Sequence, residues 1–202
     1  TDDEDRRTIE DVYAEIQSRY DSPLMVEKRR LDCFYPAEDY HQNYLLKNPD
    51  GYCHLSSAEL QFAKTYSRIT KALRAYSDEE KKVVLPRFFK TGKGEYGEGD
   101  RFIGVVVPNT RKVAKEFSLA SWEVIEALLE SEWHECRLCA LIILVERYKK
   151  HPEETVRFYL EHTSGINNWD LVDLSAPYIL GRHLTQQADR SVLYALAASE
   201  NM

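Results

Sequence analysis

No apolar run in this sequence approaches the roughly 18 residues that a membrane-crossing helix requires, so a membrane protein is not expected. There is no secretory leader: the chain opens TDDEDRR, acidic and polar, with no apolar stretch behind it. The first residue is not Met, so Thr1 is not expected to begin the gene product. Cysteine is scarce, with only Cys33, Cys53, Cys136 and Cys139, too few for a disulfide framework in 202 residues. The expected compartment is therefore reducing and cytoplasmic. Glycine is scarce as well, yet five of the eight glycines fall within TGKGEYGEGDRFIG, residues 91–104. Tyr96, Phe102 and Ile103 punctuate that stretch, which predicts an ordered loop and not a linker.

The net charge of −7 is unevenly carried. Residues 1–60 hold 14 acidic and 7 basic side chains, whereas residues 61–202 hold 20 of each. The long segment is neutral and its bases are free to cluster on one face, so net charge neither supports nor excludes nucleic acid. Residues 3–20 space Ile9, Val12 and Ile16 along one helix face behind an acidic first turn, and Ser22-Pro23 stops that helix. Residues 24–35 are irregular, with a strand among the options. Pro36 opens a short helix that Asn48-Pro49-Asp50-Gly51 ends. Composition changes near residues 54–58. The expectation is a small mixed appendage over 1–57 and an all-α unit over 58–202.

In the second part, Ser56 or Ser57 caps a helix to about Tyr76, and Ser77 with Glu80 forms a capping box for a helix to Phe89. Pro108, Ser121, His151-Pro152 and Asn168 mark later helix starts, with Asn168 as an N-cap. Periodic apolar segments follow at about 119–131, 134–150, 152–163, 169–181 and 184–199. Paired antiparallel helices joined by short turns build stacked repeats: one pair cannot bury its apolar stripe, so pairs stack into a curved array with a concave face. The last helix reaches Met202 without a capping signal, so the array is expected to be cut short.

Three constellations could carry chemistry. In INNWDLVDLSAP (166–177), Trp169 and Asp173 are four apart and share a helix face, while Asp170 points elsewhere. An indole beside a carboxylate suits a cation, through the π-face of the ring and the charge of the acid. Spacing alone favours the plainer reading, in which Asp170 meets the helix dipole and Trp169 packs in the core. Over residues 86–112, Arg87, Lys90, Lys93, Arg111 and Lys112 interleave with aromatics around the glycines, a pattern that suits phosphate but equally describes a solvated loop. That loop is not a P-loop, because it lacks a GK[ST] ending. Cys136 and Cys139 form a CxxC inside a long helical run, where buried apolar packing is favoured over redox or zinc chemistry. His134 and Glu135 begin that same helix, and there they could cap it or meet solvent.

RFFKTGKGEYGEGDRFIGVVVPNTRKVAKEF (87–117), HECRLCALIILVERYKK (134–150) and INNWDLVDLSAPYILG (166–181) together resemble the DNA alkylation repair enzyme family, the AlkD-like DNA glycosylases. The resemblance covers about residues 60–202. It implies an all-α solenoid of HEAT-like repeats holding duplex DNA on a basic concave face. It also implies a hydrolase that cuts the N-glycosidic bond of cationic alkylated purines without base flipping. Trp169 then matches the tryptophan on the lesion deoxyribose, and Asp173 the carboxylate that stabilises oxocarbenium character and positions water. Arg87, Lys90, Lys93, Arg111 and Lys112 become candidate DNA contacts, and no metal or cofactor is implied. The family continues with repeats supplying an arginine and a second tryptophan that have no counterpart here. A non-catalytic DNA-binding or scaffold module is the alternative.

The front of the chain, above all LDCFYPAEDYHQNYLLKNPDGYCHL (31–55), resembles the C-terminal end of peptide methionine sulfoxide reductase A. That resemblance implies that Cys53 corresponds to a recycling thiol. The GCFWG motif of the catalytic cysteine does not occur in this sequence, so no reductase activity is expected of these residues alone. A fragment of a reductase fusion is the further alternative.

Overall fold

The computed structural model describes residues 3–199 apart from 27, 30–32, 34, 49, 50, 54 and 96. The chain divides into two units, Thr1–His54 and Leu55–Met202. In the first, helix α1 (Asp3–Gln17) ends three residues short of the expected Tyr20. The Gln17 amide fastens the following turn, donating to the carbonyls of Tyr20 and Ser22 and accepting the Leu24 N–H at 2.9 Å. The helix expected from Pro36 shrinks to α2 (Tyr44–Lys47). Local side-chain bonds compete with helix here: the Gln42 amide donates to the Ala37 carbonyl, and His41 pairs with Glu38. The described residues between 24 and 35 form no strand, and the others of that stretch lie outside the described residues.

The second unit is an all-α repeat. Helix α3 (Ser57–Arg74) starts at a full capping box in which Ser56 accepts the Glu59 N–H and Glu59 accepts the Ser56 N–H. The next helix, α4 (Glu79–Phe88), departs from expectation at its start. Its N-cap is Asp78, which accepts the Lys81 N–H, because the Ser77 hydroxyl is spent on the Ile103 carbonyl at 2.6 Å. Then come α5 (Val107–Glu116), α6 (Trp122–Leu129), α7 (His134–Tyr148) and α8 (Pro152–Glu161), with Pro108 and Pro152 each in a first turn where no N–H partner is needed. Helix α7 lies at the centre, packed by α3, α5, α6 and α8. From His134 to Leu144 every residue of it is buried, as the apolar run from Leu138 to Leu144 requires of its own part.

The expected helix over 169–181 breaks in two. Helix α9 (Trp169–Asp173) stops, and a wide five-residue turn (Pro177–Gly181) leads into α10 (Arg182–Leu184). Pro177 has no N–H to continue the ladder, and the Gly181 N–H reaches back five residues to Ala176 at 2.8 Å. Ser175 is held at this break by Tyr159, hydroxyl to hydroxyl at 2.9 Å. The helix expected over 184–199 is likewise reduced to α11 (Ser191–Ala197), where Leu193 and Tyr194 face solvent. No helix among the described residues is long and apolar enough to cross a membrane.

Candidate functional site

The site is built where the glycine loop meets α7 and α9. The Glu135 carboxylate, buried in the first turn of α7, accepts the backbone N–H groups of Ile103, Gly104 and Val105 at 2.8, 2.8 and 2.9 Å. Gly104 sits at φ 88°, and a Cβ there would lie 2.5 Å from the Asp78 carbonyl, so glycine is required. A short parallel bridge joins Arg101 to Trp133, with the His134 N–H donating to Arg101 at 2.8 Å. Phe102 and Ile103 are buried, as expected of anchors, while Tyr96 lies outside the described residues.

Beneath the loop lies a buried polar cluster. The Asp100 carboxylate receives the Arg137 guanidinium at 2.7 Å and the Asn167 amide at 2.9 Å, and Asp100 Oδ2 lies 3.4 Å from His134 Nδ1. On the other side of the ring, His134 Nε2 meets Asp170 Oδ2 at 2.8 Å. Burial works against the Asp100 charge, but hydrogen bonds from His134 and Asn167 and the nearby Arg137 hold its pKa below the ordinary 3.8. Three sequence expectations change here. His134 and Glu135 neither cap α7 nor meet solvent, and Asp170 is buried on His134. Asn168 occupies the N-cap position but its side chain makes no capping bond; both its amide atoms are buried without a partner among the described residues.

Trp169 and Asp173 fall on the outward side of α9, opposite the buried Asp170 and Leu171. Trp169 is not a core residue: it remains 41% exposed, its indole stacked on Phe89 at 5.6 Å and edge-on to Phe88 at 6.0 Å. Asp173 is exposed. Of the basic candidates, Arg87, Lys90 and Lys93 are exposed around the loop, Lys90 in the left-handed region at φ 50°. Arg111 lines a cleft of about 710 Å³ between α5, α7 and the start of α8. Lys112 is exposed outside that cleft, bonding Asn109 at 3.1 Å and lying over Tyr76.

The cleft holds cations that sequence reasoning missed, Lys115, Arg147 and Lys150, beside the acids Glu146 and Glu154 and an apolar wall of Leu119, Trp122 and Ile142. It continues past Arg111 into a space of about 320 Å³ bordered by Lys149, Tyr178 and Arg182. Their spacing along α5 and α7 is helical, but only packing reveals that the two helices share one groove. Arg147 is fixed in place, donating to the Ala120 carbonyl and lying 4.4 Å over the Trp122 ring. Cys136 and Cys139 are buried, and burial pushes their thiols up to about 11 and about 12. Cys53 is half-buried and Cys33 exposed. Among the described residues no cluster of His, Cys, Asp and Glu could hold a metal ion.

Comparison with known proteins finds two families, whose matches overlap at residues 69–72 and not at the division between the two units. A model of the DNA alkylation repair enzyme family matches residues 69–202. A model of peptide methionine sulfoxide reductase matches residues 1–72. The peptide methionine sulfoxide reductase MsrA of Mycoplasma genitalium is 44% identical over 55 residues, 27% of this chain and 35% of that protein. Those of Lachnoclostridium phytofermentans and Clostridium acetobutylicum are 43% identical over 63 residues and 48% over 54, covering 38% and 33% of their lengths and 31% and 27% of this chain. The chain therefore spans about a third of the length of the curated relatives it matches. No solved structure matches it.

Proposed function

The chain belongs to the DNA alkylation repair enzyme family, and from this we propose that its helical unit, about residues 58–202, is a HEAT-like DNA glycosylase module. It hydrolyses the N-glycosidic bond of cationic alkylated purines in duplex DNA. The observation that carries the reading is the outward side of α9. There an aromatic platform, Trp169 on Phe88 and Phe89, stands one helical turn from the exposed carboxylate of Asp173. A cationic alkylated base leaves as a neutral molecule when its bond to C1′ breaks, so little acid catalysis is needed. Positive charge passes to the deoxyribose, where the π-face of Trp169 and the charge of Asp173 stabilise it. Water then adds at C1′, with Asp173 accepting its proton, to leave an abasic sugar. The base need not leave the stack for this, and no step calls on a metal or cofactor.

Phosphate contacts fall to Arg87, Lys90, Lys93, Arg111 and Lys112, and to the cleft cations Lys115 and Lys150. Release of 7-methylguanine or 3-methyladenine from duplex DNA tests the reading, with loss of release expected in Asp173→Asn. Robust release by that variant would sink the assignment of Asp173.

A second reading is a DNA-binding module without catalysis. It is favoured by the surroundings of Asp173, whose exposed carboxylate takes no hydrogen bond among the described residues. Salt-dependent DNA affinity with no base release would support it. For residues 1–57, similarity to about a third of the methionine sulfoxide reductases supports a reductase-derived segment in which Cys53 holds the place of a recycling thiol. The assay is methionine sulfoxide reduction by the full chain, with none expected.

A further inference from the structure

The first turn of α7 holds a charged group that neither the Trp169–Asp173 pair nor the basic cleft uses. His134 is buried, and both nitrogens of its ring face carboxylates from other elements: Asp170 on α9 at 2.8 Å and Asp100 in the glycine loop at 3.4 Å. A neutral imidazole donates through one nitrogen and presents a lone pair at the other. Only the protonated ring donates to both acids. Arg137, one turn along α7, supplies the second cation through its bond to Asp100. Two carboxylates thus meet one imidazolium and one guanidinium, and loss of the ring proton leaves a negative charge uncompensated in a site closed to water. The charged groups facing the ring are Asp100, Asp170 and Arg137. From the end of α4 and from the loop, Phe89 and Phe102 stack on it at 5.0 and 4.6 Å.

Both kinds of contact lead to Trp169. Asp170 is its neighbour in α9, and Phe89 stacks on the indole as well as on His134. Just before α9, Asn167 bonds Asp100 and Arg137. Among the described residues the Asn168 amide and Asp170 Oδ1 are buried without hydrogen-bond partners, so the His134–Asp170 bond is the side-chain tether within the first turn of α9 itself.

We propose that His134 is a positioning residue, whose doubly donating ring ties α9 to the glycine loop and so sets where Trp169 and Asp173 stand against a bound duplex. Its consequence for catalysis rests on the glycosylase reading above, although the tie itself does not. Burial opposes the charge on the ring, but the hydrogen bonds of Asp100 and Asp170 outweigh it and hold the pKa above the ordinary 6.5. Deprotonation should therefore release α9 only on the alkaline side of that value.

The test uses the full chain carrying 5-fluorotryptophan and ring-¹⁵N histidine, titrated across neutral pH, with the Trp169 resonance assigned through Trp169→Phe. The expected result is a Trp169 ¹⁹F shift with the same midpoint as the His134 ring nitrogens, while Trp122 stays unmoved. In His134→Gln, with folding checked by thermal melting, the Trp169 resonance should no longer titrate. Base release in a single turnover should fall about 10- to 100-fold with DNA affinity little changed. If that variant does not fold, the titration of the unaltered chain decides alone. A Trp169 resonance that ignores the His134 titration overturns the proposal, as does a neutral His134 ring throughout. Coupled titration in a chain that releases no base keeps the tie and refutes the glycosylase reading. Base release with an uncoupled Trp169 does the reverse.

Discussion

Glu135 and Gly104 meet at 2.8 Å, carboxylate oxygen to backbone nitrogen, at the point where the glycine loop joins α7. The same carboxylate serves two neighbouring N–H groups. Glu135→Ala leaves three buried donors without a partner, at about 1–3 kcal/mol each when fully unsatisfied. The expected loss is about 3 kcal/mol or more in urea denaturation. Glu132→Ala, which removes only the exposed partner of Arg101, should cost less than about 1 kcal/mol. Equal losses in the two variants would mean that the loop is not held through Glu135.

Stability should show a plateau bounded on both sides by the buried polar cluster. The contribution of His134, with its pKa raised above 6.5, is full below that value and lost as pH rises through the folded pKa. That of Asp100, lowered below 3.8, is full above that value and lost as pH falls through the folded pKa. Urea midpoints measured against pH should therefore decline on the alkaline side in the unaltered chain. His134→Gln should flatten that decline. An alkaline decline identical in both proteins would assign it to other groups.

Arg111 and Arg147 line one cleft but should fail in different ways when truncated. Arg111 is exposed, so Arg111→Ala should leave the melting temperature unchanged and flatten the log–log dependence of DNA affinity on salt by about one. Arg147 is tied to the Ala120 carbonyl and the Trp122 ring, so Arg147→Ala should lower the melting temperature as well. A salt slope unaltered in Arg111→Ala would remove this cleft from the DNA path.

Thiol reactivity should split the four cysteines in half. Cys33 is exposed and Cys53 half-buried, whereas the Cys136 and Cys139 thiols are buried and pushed up to about 11 and about 12. Titration with a disulfide reagent at neutral pH should modify two thiols in the folded chain and four after denaturation. Fast modification of Cys136 would contradict its place in the core.

What could be read from the sequence was local. The serine cap of α3, the prolines that open α5 and α8, the burial of the CxxC pair and the anchoring of the glycine loop by Phe102 and Ile103 each depend on neighbours a few residues apart. The polar cluster was not legible, because its partners lie far apart in the chain: Glu135 bonds residues 30 to 32 positions away, and His134 reaches Asp170 across 36. One signal was available. Three polar residues, His134, Glu135 and Arg137, open a helix that then runs apolar from Leu138 to Val145, and polar groups in such a place need partners. The Ser77 capping box failed for a related reason, since a carbonyl 26 residues away claims its hydroxyl. Spacing paired Asp173 with Trp169 but alone favoured a plainer reading of the motif, and only the family resemblance gave the pair a role.

The wide turn at Pro177–Gly181 acts as a phase shifter for everything downstream. A regular helix advances about 100° per residue. Reaching back five positions at Gly181 inserts one residue's worth of rotation into the line from α9 to α10. With that offset, Arg182 borders the basic cleft while Leu184 turns into the core. Deleting a single residue between 174 and 181 would close the turn into ordinary helix and rotate both out of place together. Chain length in this short stretch is therefore under tighter constraint than the identity of its exposed side chains.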